Sequence, residues 1–527
     1  MSANIDAGFL TQKLATLTTS KGLVLEVTLL TAILILAQVR WIKEAMSYLL
    51  RRTQGLGYLI WGPDLIDRAY GKVTMHQVQV TSPKHNTWQA QGKAFKVSTP
   101  ANDHLLVTSL DLIMELVEAP RQRLSLHAVA KEILQPKYTM HGFEWQDQRG
   151  VEGTGFVRAL RSLLTSHLHD FQPDLERLVK DSLEIEFKDI RSDGFSHVKL
   201  FPVMKRLVTR VNCFVFFGEE LSQNAEFTAA ALEFPQAVIF AAEFIRITPR
   251  FMRPLVASIA TNRHRAAKTL YQHLVPIVEQ RLAVKDLQPH RVTPMDCMQW
   301  LIDTSPRKNP WTPARMVGEI MAVWFGSVHQ LAMTPTYAIQ HLCSHPEYVE
   351  PLQEEVQRVF HADSVQRDVE KLPLLDSFIK ESIRCNHSDA ITCRRKALAP
   401  YTFQDGSSIS RGDWVCIPQQ AMLQDSTRYK DAHLFDGFRF ARANAKVPDA
   451  KASRLTHASP DWPIWGLGNM SCPGRFYASL VIKLILIRVL DDWECQMPHP
   501  EAPRTKTWRS STVPRDDTIV MFRKKMH

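Results

Sequence analysis

The first sustained apolar run along the chain is Gly22 to Val39, interrupted by Glu26 and a few Thr and Gln. At about 1.5 Å per residue it spans roughly 27 Å, close to the hydrocarbon thickness of a bilayer. Arg40, Lys43, Arg51 and Arg52 follow it, which places that flank in the cytosol, with Trp41 and Tyr48 at the interface. Glu26 lies near the outer end, where a carboxyl can snorkel or protonate. A cleaved leader fits less well: the preceding region is long and weakly basic, and no small-residue cleavage site follows. The pattern predicts a membrane anchor within residues 1–45 and one large body over 46–527, facing the cytosol.

Between Gly92 and Pro100 the residues Lys-Ala-Phe-Lys-Val-Ser-Thr alternate as in a half-buried strand, with Leu105 to Thr108 as its partner. From about residue 150 a helical period dominates. It covers Phe156–Leu164, Phe171–Phe187, Leu200–Phe217, Ala266–Leu282, Pro313–Cys343 and Pro346–Phe360. Thr312-Pro313 starts the longest of these with a capping oxygen and a proline in the first turn, and Pro335 predicts a kink within it. Pro373 opens another helix with Leu375, Phe378, Ile379 and Ile383 in an apolar stripe and Glu381 and Arg384 on the other side. The segment Phe234 to Ala257, rich in Phe and Ile with Arg246, Arg250 and Arg253, is predicted to lie at a membrane. The class is mainly α with small β-sheets.

With 527 residues, 45% of them hydrophobic, the chain can bury a large core, and it has no linker, low-complexity block or internal repeat. The net charge of +10 comes from dispersed Lys and Arg, which points to an acidic protein partner or a membrane surface and not to nucleic acid. The eight cysteines (213, 297, 343, 385, 393, 416, 472 and 495) lack metal-site spacing and suit a reducing compartment.

One cysteine stands apart. The stretch Trp465-Gly-Leu-Gly-Asn-Met-Ser-Cys472-Pro-Gly-Arg-Phe-Tyr-Ala478 leads straight into an apolar helical run. Gly466, Gly468 and Gly474 allow backbone to pass close to a flat group. A helix starting near Pro473 aims N–H groups and its dipole at the sulfur, favouring a thiolate. The stretch resembles the haem-thiolate loop of the cytochrome P-450 family, F-x-x-G-x-x-x-C-x-G: Gly468, Cys472, Gly474, Arg475 and Ala478 match, and Trp465 replaces the Phe. The resemblance covers nearly the whole chain after the anchor. In style it is nearest to the membrane-bound enzymes with which filamentous fungi tailor secondary metabolites.

The resemblance implies a cytochrome P-450 fold behind the transmembrane helix, with haem b held by Cys472 as the axial ligand of iron. It also implies roles for other residues. Glu381 and Arg384 match E-x-x-R, with Arg439 in Phe435-Asp-Gly-Phe-Arg439-Phe440 as the third member of a buried network; alone, such a helical pair is ordinarily an exposed bridge worth tenths of a kcal/mol. For the haem propionates, Arg161 (after Val157) fits the helical context better than the literal W-x-x-x-R of Trp145 to Arg149, and Arg395 is taken over Arg394. Met470 stands where a third partner is usual. Where the family pattern A/G-G-x-D/E-T-T relays protons, this chain reads Gly326-Ser-Val-His329-Gln330-Leu331. His329 then shuttles protons or is a packing residue, and Gln330 donates a hydrogen bond without the relay a hydroxyl gives.

The implied activity is a monooxygenase acting on a hydrophobic small molecule with O2. No G-x-G-x-x-G loop is evident, so electrons come from NADPH through a separate cytochrome P-450 reductase, with cytochrome b5 as an optional donor. The implied location is the endoplasmic reticulum membrane, single-pass, with Phe234 to Ala257 over the substrate entrance. Two other readings retain Cys472: an enzyme of oxidative coupling, cyclisation or rearrangement, and a non-catalytic haem-binding ligand carrier or sensor.

Overall fold

The computed structural model describes residues 55–78, 94–143, 159–287, 294–305, 310–361, 368–445 and 454–526, with Met46, Leu50 and Thr53 ahead of them. The anchor expected over 22–39, and Trp145 and Arg149, lie outside the described residues.

Helices carry most of the described chain, and the strands form small sheets. Phe95–Ser98 pairs antiparallel with Asp103–Leu106, Phe95 opposite Leu106, as the alternation of Phe95 and Val97 predicts, but the partner strand starts and ends two residues earlier than the expected Leu105 to Thr108. Trp414–Ile417, Thr392–Ala397 and Leu124–Ser125 extend this pair to five strands. A second sheet joins Ser196–Lys199, Ile519–Lys524 and Trp493–Gln496, and two short hairpins complete the set.

Two large apolar cores and a small cluster of Ala241, Ile245 and Ala257 result among the described residues. The larger is helical. Leu200–Phe217 and Arg475–Asp492 run through it; the second is apolar almost all round because neighbours cover nearly all of it, whereas the first keeps a polar edge with Arg206 exposed. Lys483, the one cation buried on the second helix, is paired with Asp376 at 2.8 Å and donates to the Val369 carbonyl at 2.9 Å. The smaller core lies against the five-stranded sheet. Leu467 belongs to it, whereas Trp462 and Tyr477 belong to the larger one, so the cysteine loop bridges the two.

Several boundaries differ from the periodic reading. The helix expected from Pro313 to Cys343 is two, Pro313–Phe325 and His329–Ser344. Thr312 caps the first as expected, its hydroxyl accepting from the Arg315 N–H at 3.3 Å. Pro335 does not interrupt the second. The chain parts at Gly326–Val328, where the Gly326 and Ser327 N–H groups turn back to Val323 and Trp324 at 3.1 and 3.0 Å and the Ser327 hydroxyl also takes the Trp324 carbonyl, at 2.8 Å. Serine offers the backbone a local alternative to the helix there, and glycine loses most entropy by staying helical.

Ala225–Ile247 is long and apolar enough to cross a membrane by composition. Phe227, Ala231, Phe234 and Val238 are instead packed into the larger core, and only the other face, with Ile239, Phe240 and Phe244, is exposed.

Candidate active site

The loop that presents Cys472 is built from tight turns. Pro463–Trp465 forms one turn of 3-10 helix, Gly466 takes φ +71°, and Gly468 takes φ +58° at the start of a second. Both angles favour glycine. A Cβ on Gly468 would also come within 2.6 Å of Val117 Cγ1. The Cys472 N–H closes the loop on the Trp465 carbonyl at 2.6 Å, and the Trp465 indole donates to the Leu455 carbonyl at 2.7 Å.

The sulfur has its own set of partners. Gly474, which precedes the Arg475–Asp492 helix, turns its N–H to Cys472 Sγ. Burial pushes the thiol above its ordinary value, while this N–H and the charges of Arg475 and Arg161 pull it down. Arg475 donates to the Cys472 carbonyl at 3.1 Å. Arg161 reaches in from the π-wound segment Ala159–Leu164 and donates to the carbonyls of Asn469 and Ser471 at 3.1 and 3.3 Å. Two cations beside a half-buried sulfur favour its anionic form once a metal takes up the charge.

Thr392 hydroxyl donates to the Pro463 carbonyl at 3.3 Å and joins the loop to the strand that carries Arg394 and Arg395. The two arginines differ sharply. Arg394 pairs with Asp389 and donates to Ser510 Oγ at 3.1 Å. Arg395 is 5% exposed and donates to the Arg394 carbonyl at 2.9 Å. Among the described residues no carboxylate pairs with it, and burial lowers its guanidinium below the ordinary value.

Behind the loop, Glu381 and Arg384 both have side-chain exposures of 0%. Arg384 donates from Nε and Nη2 to the two Glu381 oxygens, each at 2.8 Å, and from Nη1 to the Leu423 and Ala432 carbonyls at 3.0 and 2.6 Å. Arg439 Nε sits 3.2 Å from both Glu381 oxygens and spends its other nitrogens on the Lys430, Asp431 and Leu434 carbonyls. This is a buried network and not the exposed bridge that an isolated helical pair would make.

On the His329–Ser344 helix, His329 and Gln330 part company. Gln330 is exposed and Thr334, one turn further along the same helix, is half-buried, so this face of the helix is open; Gly326, in the break before it, is exposed as well. His329, about 100° round the helix, turns elsewhere: its charge environment comes from Lys205 and Asp516. Burial takes its pKa from 6.5 down to about 4, and Nε2 is buried with no hydrogen-bond partner among the described residues. Neutral imidazole is therefore its form near pH 7.

Sequence reasoning missed two side chains here. Tyr477 OH donates to Asn212 Oδ1 at 2.7 Å, and Asn212 Nδ2 donates to the Ser327 carbonyl at 3.0 Å. No local spacing signals this triad.

These groups suit iron protoporphyrin IX. A thiol with one N–H turned to its sulfur and two arginine charges nearby, a buried arginine without a carboxylate and a second with a buried, unpartnered Nε among the described residues, and a glycine at 474 with nothing within 4 Å of a would-be Cβ are what an anionic, planar ligand with two carboxylates needs.

Comparison with known proteins agrees. The family model described as Cytochrome P450 matches residues 129–521. Cytochrome P450 monooxygenase ptmQ of Penicillium ochrochloron is 27% identical over 463 residues, covering 84% of this chain and 89% of its own. Cytochrome P450 monooxygenase paxP of Penicillium paxilli is 26% identical over 489 residues, covering 88% of each. Among solved structures, retinoic-acid-bound cyanobacterial CYP120A1 superposes with a TM-score of 0.61 at 18% identity, over 82% of this chain and 92% of that one, a likeness of fold. The chain belongs to the cytochrome P450 family, the oxidoreductases to which its monooxygenase relatives belong.

Proposed function

We propose that this protein is a membrane-associated haem-thiolate monooxygenase that oxidises an apolar small molecule as a tailoring step in fungal secondary metabolism. The observation that carries the reading is the Cys472 loop, where the Gly474 N–H turns to the sulfur and Arg475 and Arg161, bonded to the loop's carbonyls, place two positive charges beside it. Its relatives from Penicillium species support the fungal setting.

When bound, haem held by the Cys472 sulfur would supply the activation of O2. The chain's own residues do the rest. Cys472 holds the iron, and Arg161 and Arg395 take the two propionates, which gives Arg395 the anion its burial demands. Glu381, Arg384 and Arg439 fix the loops behind Cys472. Gln330 presents an amide to the reaction space from the helix opposite. His329 keeps a neutral imidazole one position away, facing the Lys205–Asp516 pair, which is joined at 2.8 Å. It can take up a proton from that side without being charged at rest.

Electrons come from NADPH through a separate reductase, with cytochrome b5 as an alternative donor, and the net charge of +10 suits an acidic docking partner. The membrane contact in this reading is the apolar outer face around Phe240, Phe244, Ile247, Phe251, Leu255 and Ile259, whose exposure supports a membrane association beside the anchor expected at 22–39, with the endoplasmic reticulum as the proposed membrane. Within Phe234 to Ala257 only part of the segment serves this contact: Phe234, Ile245 and Ala257 are buried, and Arg246 is turned inward to Glu243 at 3.0 Å.

One observation favours a second reading. Gln330 offers an amide where a proton-relaying hydroxyl is usual, which suits coupling, ring closure or rearrangement of a substrate radical. Purified protein with reductase, NADPH and candidate apolar substrates tests both. Oxygen inserted into the product supports monooxygenation, a product changed without oxygen insertion supports the second, and no substrate-dependent NADPH use contradicts both and leaves a ligand carrier.

A further inference from the structure

Asn212 has no exposed surface and lies in the apolar interior of the Leu200–Phe217 helix, beside Val211, Cys213, Val208 and Val215, all buried. An amide there needs partners on both ends. It has them on two different elements, a helix and the break between two others. Oδ1 accepts from Tyr477 OH at 2.7 Å and Nδ2 donates to the Ser327 carbonyl at 3.0 Å. The amide's orientation is fixed by chemistry, because a carbonyl only accepts and so the NH2 end must face Ser327.

The two partners sit at informative places. Tyr477 is on the first turns of the helix whose leading Gly474 turns its N–H to Cys472. Ser327 lies in the break between Pro313–Phe325 and His329–Ser344, three positions before Gln330. A helix break frees carbonyls that the regular ladder would have satisfied, and a freed carbonyl in an apolar interior is held only if something donates to it. Asn212 makes that donation and is itself anchored to the helix that follows the Cys472 loop.

We propose that Asn212 is a positioning residue for oxygen activation: tied to Tyr477, it holds the break at Ser327 in place and so sets where Gln330 stands relative to Cys472. The inference rests on the reading that Gln330 faces the haem. A thiolate-type reduced carbon-monoxide spectrum in the variants separates failure of this inference from failure of the haem-thiolate assignment.

The test uses Asn212→Leu, which fills the space and removes both bonds, and Tyr477→Phe, which keeps the ring and removes only the anchor. Each full-length variant is loaded with haem. The readouts are hydrogen–deuterium exchange in peptides covering residues 322–334, the carbon-monoxide stretch of the reduced protein, and peroxide formed per NADPH with reductase. For Asn212→Leu we expect exchange in the break roughly tenfold faster, the size of one lost buried hydrogen bond, a shifted or broadened stretch, and a larger peroxide share. Tyr477→Phe should change all three in the same direction by less. Should Asn212→Leu fail to fold, Tyr477→Phe decides alone by the same readouts. Unchanged exchange and an unchanged stretch in a variant that carries haem with a thiolate-type spectrum overturn the proposal and leave Asn212 a packing residue.

Discussion

Arg384 grips both oxygens of Glu381 at 2.8 Å, and neither side chain exposes any surface. Buried charge this complete is stable only as a set. Glu381 also accepts the Asp436 N–H at 2.9 Å and the Arg439 Nε at 3.2 Å, so one carboxylate ties the Pro373–Cys385 helix to the segment ahead of the cysteine loop.

Glu381→Ala leaves two guanidinium groups facing each other without their anion, a loss of about 3 to 5 kcal/mol. Little soluble, haem-loaded protein is expected. Haem content per chain, compared with wild type expressed in parallel, checks this, and a haem-replete Glu381→Ala protein of normal thermal stability contradicts it.

Arg395 predicts effects of opposite sign in the two forms of the protein. In the haem-free form it is a buried cation paired with no carboxylate among the described residues, so Arg395→Met should raise the thermal midpoint of that form. In the haem-bound form it gives up a charged hydrogen bond worth about 1.5 to 3 kcal/mol, so haem should be lost roughly tenfold to a hundredfold faster to a scavenging apoprotein. Equal haem loss in wild type and variant contradicts the propionate role.

His329 predicts an acid limb. Burial and the Lys205 charge hold its folded pKa at about 4, below the ordinary 6.5, with Asp516 opposing. Between these values the unfolded chain binds a proton that the folded chain refuses, so this contribution is present above 6.5 and is lost as pH falls toward about 4. Thermal midpoints measured across that window should fall in wild type and fall less steeply in His329→Gln. Identical slopes would mean that His329 is hydrated. His341, held down to about 3 by burial, keeps part of the acid sensitivity in both proteins.

Removing residues 1–45 should release much of the protein from membranes while haem stays bound. The residual attachment is assigned to the outer apolar face, where Ile247, Phe251 and Ile259 are 80%, 83% and 72% exposed. In the truncated protein, Ile247→Ser with Phe251→Ser should therefore abolish flotation with phospholipid vesicles. Flotation that survives both changes places the membrane contact elsewhere.

What the sequence reveals follows from how local each relationship is. Cys472 and its glycines, and Glu381 with Arg384, are legible because the residues that cooperate lie within a turn or two of one another. The early strand pair is legible from alternation. The break at Gly326–Val328 is hidden, since apolar positions continue through it and Pro335, the conspicuous breaker, is carried inside a continuous helix. Gln330 and His329 read as one motif, yet adjacent residues on a helix point about 100° apart, and only packing decides which one meets the open space. Asn212 and Tyr477 are 265 residues apart. No spacing rule joins them, and only the fold brings them together.

The central claim is that Cys472 binds haem iron as a thiolate, and the reduced carbon-monoxide difference spectrum reads the axial ligand directly. The full-length protein, purified with haem, should give the long-wavelength thiolate-type band. Cys472→Ser should lose that band, because a serine hydroxyl does not ionise to replace the sulfur. A wild-type protein that binds haem without the band, or a Cys472→Ser protein that keeps it, contradicts the assignment.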